Sequence, residues 1–321
     1  MQKMKEPIGK YVDLALRNYG IAIAFVVEVL IFSQLSEYFF TTDNILNITL
    51  QISIIAIIAV GMTFVILTAG IDLSVGAVVA FTGVITTSVL KIHAPLPVAF
   101  PLALAGGLVV GGISGAIAGT FITRFNITPF IVTLALMTIW RGAGYMYTDG
   151  RPIWGLPEEF SFLGSGRLLS IPFPTLLMIL VYAIAYVILT QTTFGRHVYA
   201  VGGNKEAARL AGINTNSVIM RVYIICGALT ALSGILLASR VNSGQPNAGL
   251  SYELDVIAAV VIGGTSLFGG RGTIVGTFIG AMLIGVLRNG LNLMNVGSYV
   301  QSVVLGVVIL LAVLLDQWRK G

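Results

Sequence analysis

Long stretches of this chain carry no charge, and that absence constrains the fold more than any motif does. Nine runs of fifteen residues or more lack Asp, Glu, Lys and Arg, among them 44–71, 168–195 and 289–315. About 20 apolar residues in a helix cross a bilayer core, so each run can hold a span. Soluble chains are about 25% charged, whereas this one is 10% charged and 56% hydrophobic, with a mean hydropathy of +0.95. Such a composition excludes a soluble enzyme, a disordered chain and a disulfide scaffold. The lone Cys226 leaves no intrachain disulfide to form. The 38 glycines suit the close helix contacts of a membrane bundle.

Hydropathy predicts an all-α polytopic membrane protein of about ten transmembrane helices, near 19–36, 51–69, 74–91, 98–123, 128–147, 172–191, 218–239, 253–269, 273–292 and 298–316. The net charge of +5 arises from basic residues at the ends of apolar runs, a topology signal and no footprint for nucleic acid. With both termini cytoplasmic, twelve Lys and Arg fall inside (Lys3, Lys5, Lys10, Arg17, Arg124, Arg196, Lys205, Arg209, Arg221, Arg271, Arg319, Lys320) and six elsewhere. The expected organisation is a cytoplasmic segment 1–18, a membrane domain 19–316 and a cytoplasmic tail 317–321. Ile8, Tyr11, Val12 and Ala15 give the first segment, which shows no cleavage site, an apolar side that can lie on the membrane. Two loops are long: an external one near 148–171 and a cytoplasmic one near 192–217.

No catalytic constellation and no metal site are expected. His93 and His197 fall on opposite membrane faces, and no cysteine cluster exists. The run Gly264 to Arg271 starts like a phosphate loop but ends Gly-Arg where Lys-Ser/Thr is needed, and Gly270-Arg271-Gly272 has the wrong spacing for a dinucleotide fingerprint. An echo relates 67–76 to 267–276 at an offset of 200, matching Gly70 with Gly270 and Gly76 with Gly276. It reads either as a duplicated broken helix or as two unrelated helix turns.

The cytoplasmic loop predicts a short surface helix. Asn204 can cap it, Glu206 suits its first turn, Gly212 can end it, and Ala207 and Ala208 give it small side chains, with Lys205 and Arg209 left for pairing. Such a helix can insert into a groove on another subunit and transmit a push; an ordinary loop helix is the alternative.

Glu206-Ala207-Ala208, three residues and then Gly212 resemble the coupling loop of ABC importer permeases. Gly61-Met62-Thr63, then Leu67 to Gly76 with its Ile-Asp-Leu-Ser-Val-Gly run, and Ala258 to Leu267 with Gly263 and Gly264, are similar to the monosaccharide branch, the ribose, xylose and galactose type. The resemblance covers about residues 20–316. It implies a type II importer permease fold in the bacterial inner membrane, paired with a second copy of itself. It also implies a tandem-domain ATPase in the cytoplasm holding the ATP and magnesium, no cofactor on this chain, and a periplasmic sugar-binding protein. The implied task is inward movement of a monosaccharide such as ribose by alternating access. Inositol, nucleoside and branched-chain amino acid permeases share the plan. An ion-coupled secondary transporter is the rival from another class; it needs intramembrane acids and bases, for which Glu28 and Arg141 are the chief candidates.

Several residues carry two readings. Asp72, with Ser74, caps the third span or pairs with Arg209 or Lys205. Glu28 is the one acid expected deep in a span, protonated, hydrogen-bonded at a dimer interface, or coupled to ions. Arg141 beside Trp140, Tyr145 and Tyr147 anchors at the interface or lines the external mouth. The amides Asn289, Asn292 and Asn295 form a row that either replaces sugar hydration or bonds helices together, and Gln51, Ser53, Thr63 and Thr68 form a sparser set. Arg151, Arg167, Arg240, Glu158 and Glu159 are external charges that can receive a binding protein or stay solvated.

Overall fold

Helix boundaries follow local caps more closely than hydropathy. The computed structural model describes the backbone of residues 8–318 except 93, and side chains between 20 and 310 except 93 and 309. The N-terminal lysines Lys3 and Lys5, the apolar side of 8–15, His93 and the pair Arg319 and Lys320 lie outside the described residues or side chains. The first helices are α1 (Ile8–Leu35), α2 (Thr42–Leu67), α3 (Val75–Leu90), α4 (Leu96–Arg124) and α5 (Pro129–Thr148). A short α6 (Glu158–Ser165) and a two-stranded hairpin, β1 (Arg167–Leu168) with β2 (Ile171–Pro172), precede α7 (Phe173–Gln191). Then come α8 (Thr193–Gly203), α9 (Lys205–Leu210), α10 (Thr215–Arg240), α11 (Tyr252–Ile262), α12 (Ile274–Leu293) and α13 (Ser298–Trp318).

Among the described residues, α2, α4, α7, α10 and α12 are long and apolar enough to cross a membrane. Gly20–Leu35, Val75–Leu90 and Ser298–Val308 are shorter apolar helices. The first helix starts at Ile8 and passes position 18 without a break. Helix α2 starts nine residues before its predicted span, because Thr41 caps it by accepting from Asn44 N at 3.3 Å.

Packing centres on α10, which lies against α2, α3 and α4. On α4, glycines at four-residue intervals line the crossing: a Cβ on Gly111 would collide with the carbonyl of Gly227, and one on Gly115 with that of Tyr223. Backbones this close are the usual small-residue contact of membrane helices.

The predicted span 253–269 is not one helix. Only Tyr252–Ile262 is helical, eleven residues, or about 16 Å, half of what a bilayer core needs. Gly263-Gly264 ends it, with Gly264 left-handed at φ 85° and Thr265 N donating to Val260 O at 3.2 Å. The upstream half of this crossing is irregular. Gly244 rests on Thr87 and Gly83, near the far end of α3, and Gly249 rests on Gly76 in α3's first turn. The segment 241–251 therefore descends beside α3 through about 16 Å. Irregular backbone at membrane depth survives only when protein satisfies it. Here Arg141 Nη1 donates to Pro246 O at 3.0 Å and to Ala248 O at 2.7 Å, and Gly244 bridges to Ile153. Arg141 is thus a clamp on this segment, a role neither sequence reading contained.

Short α3 mirrors α11. Its sixteen residues reach about 24 Å, and the turn before it is set by Asp72, whose Oδ1 accepts from Ser74 N at 2.9 Å and Ser74 Oγ at 2.6 Å. Ser74 occupies the N-cap position, but its side chain makes no bond to the amides of α3. Asp72 therefore bonds within the turn rather than to the first free amides of α3. The echo at an offset of 200 is also revised. The shared geometry lies at 195: Ala69 and Gly264 are both left-handed, and Gly70 N to Val65 O matches Thr265 N to Val260 O.

Candidate functional site

Among the described residues, polar groups meet open space at the α9 end of the bundle and between α2, α11 and α12.

At the α9 end the predicted surface helix is present. Asn204 Oδ1 accepts from Ala207 N at 2.9 Å, Glu206 pairs with Arg209 at 2.9 Å, and Gly212, at φ 85°, lets Ile213 N reach Ala208 O at 3.1 Å. Asp72 is buried and bonded to Ser74, while Arg209 is satisfied by Glu206, so the pairing between them is not formed. Ala207 and Lys205 are exposed, but Ala208 is buried in the main core. The expectation of a helix with both alanines on its surface is corrected: the last turn folds Ala208 inward against the bundle. Leu210, 82% exposed, is the apolar group that projects instead.

This helix stands on a tight support. Gly202 lies against the carbonyl of Leu67, where any Cβ would clash, and the same carbonyl accepts from Gly270 N at 2.9 Å. Tyr199 donates its hydroxyl to Gly272 O at 2.9 Å, and burial raises the pKa of that phenol above its ordinary value. The ends of α2, α8 and the α11–α12 turn therefore meet under α9. Thr68 returns its hydroxyl to Val65 O at 2.9 Å and lines a groove of about 410 Å³ with Asn126, Asn204 and Lys205. Gly70 faces Tyr223, and Gly263 faces Gly276.

The second place is a cavity of about 180 Å³. Gln51 and Ile55 of α2, Arg240 of α10, Tyr252 of α11, and Ile284 and Arg288 of α12 form its walls. Arg288 Nη2 donates to both oxygens of Asp255 at 2.7 Å. Asp255 is buried while the Arg288 side chain is 44% exposed. Glu28 is consequently not the one acid inside the bundle: Asp255 is buried in α11 and has a cation beside it. Glu28 Oε2 is itself buried with no hydrogen-bond partner among the described residues. Sequence reasoning passed over Asp255, Tyr252 and Arg288. The signal available was an acid and a base inside adjacent apolar runs, which calls for a partner.

The remaining predicted residues are dispersed. Asn289 is buried and exchanges amide bonds with Asn44 at 2.8 and 3.1 Å. Asn292 Oδ1 accepts from Gln301 at 2.7 Å. Asn295, left-handed at φ 56°, ends α12 as Val296 N bonds Leu291 O. The three amides therefore have three separate settings and form no row. Ser53 is buried and bonded to Leu50 O at 2.7 Å, and Thr63 meets Thr277 at 2.8 Å. Of the pathway set, Gln51 alone lines the cavity, its Nε2 held by Asn47 at 3.1 Å.

At the opposite end from α9, residues 148–171 fold into a cap. Phe160 of α6 is fully buried, and Ser239 Oγ donates to its carbonyl. Glu158, Glu159, Arg151 and Arg167 are exposed, as expected of external charges. Arg240 is not one of that group: its backbone packs on Gly164, and its half-buried guanidinium lines the cavity.

Comparison with known proteins is consistent with this arrangement. Residues 44–313 match the family described as branched-chain amino acid transport system / permease component. The chain is 49% identical over 300 residues to the ribose import permease protein of Haemophilus influenzae, covering 92% of each chain. It is 48% identical to the ribose import permease protein of Bacillus subtilis, covering 96% of this chain and 95% of that one. Against the D-allose transport system permease protein of Escherichia coli it is 39% identical, covering 94% and 91%. No solved structure matches it.

Proposed function

This chain belongs to the branched-chain amino acid transport system / permease component family, and on that premise we propose that it is the membrane permease subunit of an ABC importer for ribose or a closely related monosaccharide. In this reading about ten crossings, two of them the broken crossings built around α3 and α11, form each subunit. Two copies pair, α9 faces the cytoplasm, and both termini lie on that side, in agreement with the bias of Lys and Arg. A cytoplasmic ATPase holds ATP and magnesium, and a periplasmic binding protein delivers sugar to the cap formed by 148–171, with Arg151, Glu158, Glu159 and Arg167 at the contact.

The observation that carries this reading is α9. A capped helix with an exposed Leu210 and a resting ion pair, set on the joined ends of α2, α8 and the α11–α12 turn, fits a groove-and-knob joint. Movement of a partner at α9 is delivered to α2 and α12, which wall the cavity. The similarity to ribose import permeases supports the sugar class.

The test is uptake by proteoliposomes holding the permease, its ATPase and the binding protein. ATP-dependent accumulation of labelled ribose, with allose and arabinose carried less well, is expected. Accumulation driven by a proton gradient without ATP would overturn the assignment in favour of an ion-coupled carrier.

A further inference from the structure

The cavity between α2, α11 and α12 has more hydrogen-bonding capacity than the protein uses. Arg288 spends only Nη2 on Asp255; its Nε and Nη1 groups, three of the five guanidinium N–H donors, have no protein partner among the described residues. The Arg240 side chain makes no hydrogen bond among the described residues although it is half-buried, and the Tyr252 hydroxyl makes none either. Gln51 uses its nitrogen on Asn47 and leaves its oxygen as an acceptor. Donors and an acceptor thus line the cavity together with the apolar side chains of Ile52, Ile55 and Ile284. Partly buried donors and acceptors that the protein leaves open at a cavity are available to water or to a solute that enters it.

Charge and size narrow the solute. The buried carboxylate of Asp255 offsets Arg288, so of the two guanidiniums only Arg240 is left without a counter-charge among the lining residues. A volume of about 180 Å³ compares with the roughly 150 Å³ that admits a benzene ring. One small ring fits and two do not. A neutral polyol ring presents C–H faces to isoleucine and hydroxyl edges to guanidinium and amide.

We propose that this cavity is a way-station for one monosaccharide ring, with Arg240, Arg288 and Gln51 as its specificity-determining groups and Asp255 as the residue that positions Arg288. The inference rests on the transport reading above and adds to it where the sugar pauses. The contacts need only be strong enough to replace hydration, because a path that binds tightly does not release.

The experiment uses the complete importer in proteoliposomes and measures sugar uptake, ATP hydrolysis and permease abundance together. Gln51→Leu and Arg240→Gln each lower uptake per ATP hydrolysed at least tenfold, and Arg240→Lys restores part of it. Loss of uptake that only tracks permease abundance, or uptake per ATP unchanged in both variants, overturns the way-station. Failure of the unaltered complex to take up any monosaccharide with ATP overturns the transport reading instead, so the two failures are separate.

Discussion

Every hydrogen bond and ion pair within α9 spans at most five residues, whereas Arg288 and Asn289 of α12 bond partners 33 and 245 positions away. Asn204, Glu206, Arg209 and Gly212 are self-contained: cap, ion pair and terminator would assemble in almost any surroundings. Arg288 and Asn289 are neighbours in sequence with unrelated partners, Asp255 on α11 and Asn44 on α2. The comparison separates a transferable joint from a site that exists only once the helices have packed. On the proposed coupling role of α9, its cap, ion pair and terminator are independent of the cavity's lining.

The sharpest way to break this comparison is at the one residue of α9 that does depend on the bundle. Ala208→Trp drives an indole into the main core, where even one or two extra methylenes cost about 1–3 kcal/mol, and the expected result is no folded permease. Ala207→Trp, one position away and exposed, keeps normal abundance but loses ATP-dependent uptake because the knob no longer fits its groove. Immunoblots of the membrane fraction beside uptake assays check both. Equal abundance of the two variants would show that α9 stands free of the core.

What could be read from sequence follows the same division. The largely helical, apolar character of the chain, the cap at Asn204 and the end at Gly212 were legible because they depend on hydropathy and near neighbours. The broken crossing was not, since 241–252 and 256–270 are both uncharged and a hydropathy window cannot see Gly264 turn left-handed or Arg141 take the carbonyls of Pro246 and Ala248. Asn289, Asn292 and Asn295 looked like one face because three-residue spacing keeps neighbours close on a helix. Yet each step turns the side chain by about 60°, and the helix stops at Leu293 before Asn295 is reached. Arg240 looked external because it follows an apolar run, but its place is decided by α6, whose Gly164 packs against the Arg240 backbone.

A second prediction concerns the pair that is distant in sequence. Asp255→Asn leaves Arg288 without its counter-charge; because that side chain is 44% exposed, the cost lies below the about 3–5 kcal/mol of a fully buried pair broken from one side. Changing both, Asp255→Asn with Arg288→Gln, recovers most of that stability because no unpaired ion remains. Thermal melting of the purified permease in detergent reads both. A double variant no more stable than the single would mean that the two charges act independently.

Smaller again is the effect expected at the glycine crossing of α4 and α10. Gly111→Ala adds one methyl against the Gly227 carbonyl, an overpacking cost of about 1–3 kcal/mol. Gly112→Ala, with open space around it, leaves melting unchanged. Equal melting of the two would remove the close crossing.

The smallest effect is expected at Asn289, and it bears most directly on the division between scaffold and path. Its amide is buried and gives and takes one hydrogen bond with Asn44, whose nitrogen also reaches Phe39 O at 2.9 Å. With its amide engaged by protein, Asn289 has little left for a passing solute, in contrast to Gln51 and Arg240. Asn289→Leu therefore costs about 0.6 kcal/mol, the average for such interhelical bonds, and below about 2 in any case. Uptake falls only in proportion to folded permease, and adding Asn44→Leu costs less than the first change did, because the shared bonds are already gone. Melting of the two single variants and the double, with uptake normalised to abundance, tests this. A drop in uptake beyond the loss of protein would move Asn289 from the scaffold into the path, and the cavity would then extend along α12 to the Asn44 contact.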